Sequence, residues 1–288
     1  MTFSIVAADL DAGDWGVAVA SKFVSVGAVV PWARAGVGAV ATQSWANTSF
    51  GPEGLALMGD GASAEDALST LIDGDEGRAD RQVGVVDAAG RVATFTGSAC
   101  MEWAGGETGR RYAAQGNILV GGQVVDAMSR VFSETAGDLC DRLLAALLAG
   151  DAAGGDRRGR QSAALLVVRE GGGYEGRNDR YIDLRVDDHP NAPRELARLF
   201  EVYDAAVLIR NDPLLPAAAD LVADLQRRLA VLGRYAGEPT GVYDDATRAA
   251  LAGWAGEYNL EGRLRDDDQI SNQLVEEIRD VTPGMPPP

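Results

Sequence analysis

The sequence predicts an α+β fold, a layered sandwich with helices on the sheet surfaces. Three observations carry that expectation. Strand-like runs come in pairs joined by short turns, helical stretches are grouped between those pairs, and the resulting order is strands, helices, strands, helices, strands. A doubly wound nucleotide-binding fold would need regular alternation of single strands and helices, which the chain lacks.

Residues 3–8 alternate and are rich in β-formers. Asp9-Leu10-Asp11-Ala12-Gly13-Asp14 reads as a turn, and residues 15–20 as the returning strand of a hairpin. Small and β-branched residues continue through 21–30 and 35–43, with Pro31 expected to break them. Pro52 suits the first turn of a helix, and Ser63-Ala64-Glu65-Asp66 opens a second helix running to about residue 72. Residues 82–86 and 91–96 flank Asp87-Ala88-Ala89-Gly90, a strand-turn-strand signature. Helices are expected over 124–134 and 139–148, and strands over 162–168 and 181–186, the latter pair turning at Gly171-Gly172-Gly173. Asn191-Ala192-Pro193 starts a further helix running to about residue 210.

A chain of 288 residues holds one substantial core and a smaller unit. The expected division is 1–212, then a small all-helical domain over 213–280, then a Pro-rich tail over 281–288 in which Pro283 to Pro288 are expected to be disordered. The linker signal is Asn211-Asp212-Pro213 with Pro216. A net charge of −17 opposes nucleic-acid binding, which needs clustered Lys and Arg to displace counterions. No apolar run approaches the roughly 18 residues of a membrane span. The N-terminus shows neither the basic nor the apolar segment of a secretory signal, so the expected location is cytoplasmic. Cys100 and Cys140 are too few and too far apart for a disulfide framework, and His189 is the sole histidine. No metal site and no cofactor are therefore expected.

The candidate chemistry begins at Thr2. With Met1 removed, Thr2 would carry a hydroxyl nucleophile and a free α-amine that can act as its base. Starting a strand at that point would hold the amine in the protein body. Gln115-Gly116-Asn117 sets two amides around a glycine, and Asn117 reads either as a turn cap or as a donor to an oxyanion. Arg160, Gln161 and Ser162 precede a buried strand and read as a solvated charge run or as site walls. Ser21, Thr42 and Gln43 place polar groups at strand ends. Lys22 is a surface lysine or a like charge that depresses the basicity of the amine.

Met1 to Ala7, Gly16 to Phe23, Gly36 to Gln43, Gln115-Gly116-Asn117 and Gly159 to Ala164 together resemble the family called domain of unknown function 1028, over residues 2 to about 210. That family is grouped with the N-terminal nucleophile (Ntn) hydrolases. The resemblance implies a four-layer αββα sandwich and an amidohydrolase that cleaves a peptide-like or non-peptide amide, with Thr2 as nucleophile and base. Asn117 follows as an oxyanion donor, with Ser21, Thr42, Arg160 and Gln161 as walls; Lys22, Gln43 and Ser162 are expected as further substrate-binding positions from their own places at strand ends. Residues 225–233 and 240–254 are similar to a small three-helix peptidoglycan-binding module. The alternative expectation is a non-catalytic glycan- or peptide-binding scaffold, using the sandwich pocket or the C-terminal module. The helices beyond residue 215 also suit a homo-oligomer contact.

Overall fold

The computed structural model describes residues 2–210 and 212–285. Pairs of antiparallel strands dominate the first half. β1 (Thr2–Asp9) and β2 (Asp14–Ser21) form the opening hairpin, and β3 (Pro31–Arg34) and β4 (Gly38–Ser44) form the next. Pro31 begins a strand rather than breaking one, because the first residue of a strand at a sheet edge tolerates a missing N–H. Two helices follow, α1 (Phe50–Gly59) and α2 (Ala64–Asp73). The Ser63 side chain caps α2 by accepting from the Asp66 N–H at 3.1 Å.

β5 (Arg81–Asp87) and β6 (Val92–Thr96) turn through the expected Asp-Ala-Ala-Gly loop, whose Asp87 carboxylate accepts from the N–H groups of Ala89 and Arg91. β7 (Gly105–Gly109) was not expected, since Gly-Gly-Glu-Thr-Gly is poor in β-formers; pairing with β8 (Tyr112–Asn117) makes it a strand. α3 (Gln123–Glu134) and α4 (Leu139–Ala152) lead to the last hairpin, β9 (Ser162–Arg169) and β10 (Arg180–Val186), and then to α5 (Ala192–Tyr203).

The strands form two antiparallel sheets. One is six-stranded in the order β10-β9-β2-β1-β8-β7, the other four-stranded in the order β3-β4-β5-β6. α4 lies on β1, β2 and β9, and α3 on β7 and β8, while α1 and α2 cover the smaller sheet. The two sheets touch through β1 against β4 and β5, and β8 against β5 and β6. Alternation along each strand sorts side chains between these contacts. In β1, Val6 and Ala8 join the inter-sheet core with Val17, Val19, Ala39, Ala41 and Val86. On the far face of the small sheet, Val40, Val83 and Val85 pack with Leu55, Leu68 and Leu71 of the helices. Cys100 and Cys140 are both buried and neither is in a disulfide.

Residue contacts divide the chain into units 1–199 and 200–288. The second is mostly helical but not entirely so. β11 (Leu214–Pro216) pairs with β12 (Gln269–Ser271) in a two-stranded sheet beside α6 (Ala219–Val231), α7 (Asp245–Glu257) and α8 (Asn272–Asp280). The all-helical expectation is corrected there: Pro213 and Pro216 punctuate a strand rather than a linker. Leu225, Leu229, Leu251, Trp254, Ile270 and Ile278 form a core of its own. The first part of the Pro-rich tail is anchored, because Thr282 is buried and its hydroxyl accepts from Arg228 Nη1 at 2.9 Å. Residues 286–288 of that tail lie outside the described residues.

Candidate functional site

The register of the large sheet places four polar residues in one cross-strand row. Thr2 opens β1 and lies opposite both Ser21, the last residue of β2, and Asn117, the last of β8; Ser21 lies opposite Ser162, the first of β9. Directly opposed residues share a face of the sheet, so these side chains meet at one end of it, on the side that faces the smaller sheet. Thr2 is 7% exposed, and its Oγ1 lies 3.1 Å from Ser21 Oγ.

Beneath this row the two sheets are joined by a buried amide network. Gln43 Nε2 donates to Gln82 Oε1 at 2.8 Å and to the Thr2 carbonyl at 3.3 Å. Asn117 Nδ2 donates to Gln82 Oε1 at 2.9 Å and reaches the Thr2 carbonyl at 3.5 Å. Gln82 Nε2 in turn donates to the Gly116 carbonyl and Thr96 Oγ1. Ser4 Oγ donates to Gln43 Oε1 and accepts from Gln115 Nε2, both at 2.7 Å. Ser4, Gln43, Gln82, Gln115 and Asn117 are all essentially fully buried. A buried amide that lost its partner would cost about 1–3 kcal/mol, so such a network holds its members in one arrangement. What it holds is the peptide of Thr2.

Above Thr2 a cavity of about 500 Å³ opens, with Ser21, Gln43 and Asn117 in its lining. Val26, Val29 and Val30 form an apolar wall, and Phe23, Trp45 and Met101 stand at its border with half or more of their surface exposed. Ser44, Arg81 and Arg158 complete the polar lining. Arg81 is fixed: its Nε donates to Asp75 Oδ2 at 2.6 Å and its Nη1 to the Trp45 carbonyl at 2.5 Å. The hydrogen bond from Arg81 holds the Asp75 carboxyl below its ordinary range, and Asp75 in turn holds the guanidinium up.

Of the positions expected from the sequence, Thr2, Ser21, Gln43 and Asn117 meet in this cavity, and the other five do not. Thr42 is adjacent to Gln43 in β4 and therefore points to the opposite face, where its hydroxyl donates to the Asn47 carbonyl. The Lys22 side chain is exposed and Nζ reaches the Arg160 carbonyl, while its backbone N–H is held by Asp156. Arg160 pairs with Asp151 at 2.5 Å and, with Ser162, borders a separate cavity of about 70 Å³. Ser162 Oγ donates to the Phe23 carbonyl and accepts from the Val26 N–H, which fixes the segment after β2. Gln161 is turned outward to Asp188.

Gln82, Ser4, Arg81, Arg158 and the border residues Phe23, Trp45 and Met101 were not anticipated. A signal was present for two of them. Ser4 and Gln82 share the inward face of their strands with apolar residues, Val6 and Ala8 in β1 and Val86 in β5, and a polar side chain there must have buried partners. Among the described residues no helix is long and apolar enough to cross a membrane.

Comparison with known proteins adds to this picture. Residues 209–276 match the family described as "Putative peptidoglycan binding domain". The crystal structure of protein SPO2555 from Silicibacter pomeroyi, assigned to DUF1028, is 35% identical, with a TM-score of 0.65 over 70% of this chain and 86% of that one. No curated protein matches the chain. Residues 2–196 match the family of unknown function DUF1028, and the chain belongs to that family.

Proposed function

We propose that residues 1–199 form an Ntn-type amidohydrolase, a four-layer αββα sandwich in which Thr2, once Met1 is removed, is the nucleophile. The observation that carries this reading is the position of Thr2. It begins a central strand of the larger sheet, its carbonyl is gripped by Gln43 and Asn117, and its hydroxyl lies at the cavity beside Ser21 Oγ. In the proposed reaction Thr2 Oγ1 attacks the amide carbonyl carbon and its proton passes to the Thr2 α-amine. That ammonium protonates the departing nitrogen as the C–N bond breaks. Water then cleaves the Thr2 ester, with the amine again taking a proton, and releases the acid. Asn117 Nδ2 is the side-chain donor assigned to the oxyanion: its bond to Gln82 is short, and its long contact with the Thr2 carbonyl is the one exchanged. Ser21 orients the Thr2 hydroxyl.

Turnover of a panel of chromogenic amides tests the reading. Thr2→Ala should abolish it, Thr2→Ser should keep part of it, and Ser21→Ala should lower it roughly tenfold to a hundredfold through misorientation. Equal turnover by wild type and Thr2→Ala would refute the assignment.

A second reading has one observation in its favour, the match of residues 209–276 to a peptidoglycan-binding family. In that reading the chain is a non-catalytic scaffold that holds glycan or peptide. Binding of murein fragments unaffected by Thr2→Ala, with no amide turned over by the wild type, would favour it.

A further inference from the structure

The Thr2 cavity is graded from polar to apolar. Thr2, Ser21, Gln43 and Asn117 are all buried and carry its hydroxyl and amide groups. Val26, Val30 and Ile118, equally buried, continue the lining as hydrocarbon. At the border stand Phe23, Trp45 and Met101, exposed over 51%, 68% and 55% of their surface. Single exposed apolar residues are ordinary on a folded protein, but several gathered at the mouth of a pocket mark a binding surface. Among the described residues of 2–199 six large apolar side chains are exposed, and three of them stand at this mouth, with Val24 beside Phe23 in the chain. The charges of the lining are balanced locally. Arg81 pairs with Asp75 at 2.6 Å and Arg158 with Asp156 at 3.4 Å, so the apolar surface is left to discriminate between ligands. That surface is also held in place. Ser162 Oγ bridges the Phe23 carbonyl and the Val26 N–H, the Ser25 N–H donates to the Asp187 carbonyl at 2.9 Å, and the Met101 carbonyl accepts from the Ile118 N–H at 2.8 Å. A wall ordered before its ligand arrives loses little entropy on binding.

We infer that this cavity selects uncharged amides bearing an extended apolar chain, with the amide seated at Thr2 and the chain laid along Val26 and Val30 to Phe23, Trp45 and Met101. The inference rests on the reading of Thr2 as the reacting residue, but selection by the chain is measurable without turnover. Each methylene moved from water onto this wall strengthens binding by about threefold to fourfold.

The test uses the full chain and two homologous series, the primary amides from butanamide to octanamide and the N-alkylacetamides from N-ethyl to N-hexyl. Calorimetric titration of the Thr2→Ala protein should show affinity climbing with chain length in at least one series, the longest member binding at least about thirtyfold more tightly than the shortest. The series that climbs tells whether the chain belongs to the acid or to the amine. Phe23→Ser and Trp45→Ser, both at positions more than half exposed, should each weaken the longest member at least about fivefold more than the shortest, with circular dichroism confirming an unchanged fold. Flat affinities in both series, failure of the longest members to bind, or a climb that survives both substitutions would overturn the inference. Turnover by the wild type separates the two claims. A climbing series without hydrolysis counts against Thr2 catalysis alone, whereas Thr2-dependent hydrolysis indifferent to chain length counts against apolar selection alone.

Discussion

Gln82 has the largest structural burden of any residue near Thr2. Its carbonyl oxygen accepts from both Gln43 and Asn117, and its amide nitrogen donates to Gly116 and Thr96 across the strands. Gln82→Leu would fill the space but leave buried amide N–H groups without an acceptor, and should destabilise the fold by about 2–4 kcal/mol in chemical denaturation. Thr2→Ala, which removes one hydroxyl contact with Ser21, should cost only about 1 kcal/mol by the same measurement. Any loss of turnover in that variant is then chemical rather than structural. Asp75 supplies a pH-dependent counterpart. Its carboxyl is held below the ordinary value of 3.8, chiefly by the hydrogen bond from Arg81, so the stabilisation is present above that value and is lost as pH falls through the depressed one. Asp75→Asn should therefore melt below wild type near neutrality, with the gap narrowing once pH drops under 3.8, as followed by thermal scans.

At the scale of strands and helices, the close approach of the two sheets depends on Gly84 in β5. A Cβ built there would lie 2.2 Å from Gln115 Oε1, so Gly84→Ala must displace a fully buried amide of the network. The expected cost is about 1–3 kcal/mol, with hydrogen exchange at Gly116 and Asn117 accelerating because the amides beneath Thr2 are disturbed. Most of the elements were legible in the sequence. The opening hairpin, the capped helix after Ser63 and the Asp87–Gly90 turn each carry a local signal. β7 was not legible, because a Gly-rich strand takes its conformation from its neighbour rather than from its own residues. β3 was hidden for a related reason, Pro31 being a breaker in general and an acceptable start at an edge. The site was half legible. Thr2, Ser21, Gln43 and Asn117 stand at strand ends in recognisable blocks. Thr42 was misassigned by ignoring that adjacent strand residues face opposite ways. Arg160 and Ser162 were assigned to a wall by proximity in the chain to a strand that does reach the site.

Across the whole molecule, the two units carry separate cores and separate polar anchors. In the second, burial pushes the Asp212 carboxyl up, but hydrogen bonds from Ser271, the Gln273 N–H and Arg263 outweigh it and hold it low. The Arg263–Asp212 pair is buried on both sides at 2.7 Å. Arg263→Met would strand the Asp212 charge, lowering the stability of residues 200–288 by about 3–5 kcal/mol. Hydrogen exchange should show that loss in α6 to α8 while β1 and β8 keep their protection. The role proposed for the first unit depends on the chemistry of one residue. Intact-mass and peptide-mass analysis of the purified protein, before and after treatment with an acylating β-lactone, tests it most directly. The expected result is a chain that begins at Thr2 and gains a single acyl adduct on that residue, absent from Thr2→Ala. A chain that keeps Met1 throughout and takes up no adduct at Thr2 would contradict the assignment of Thr2 as the nucleophile.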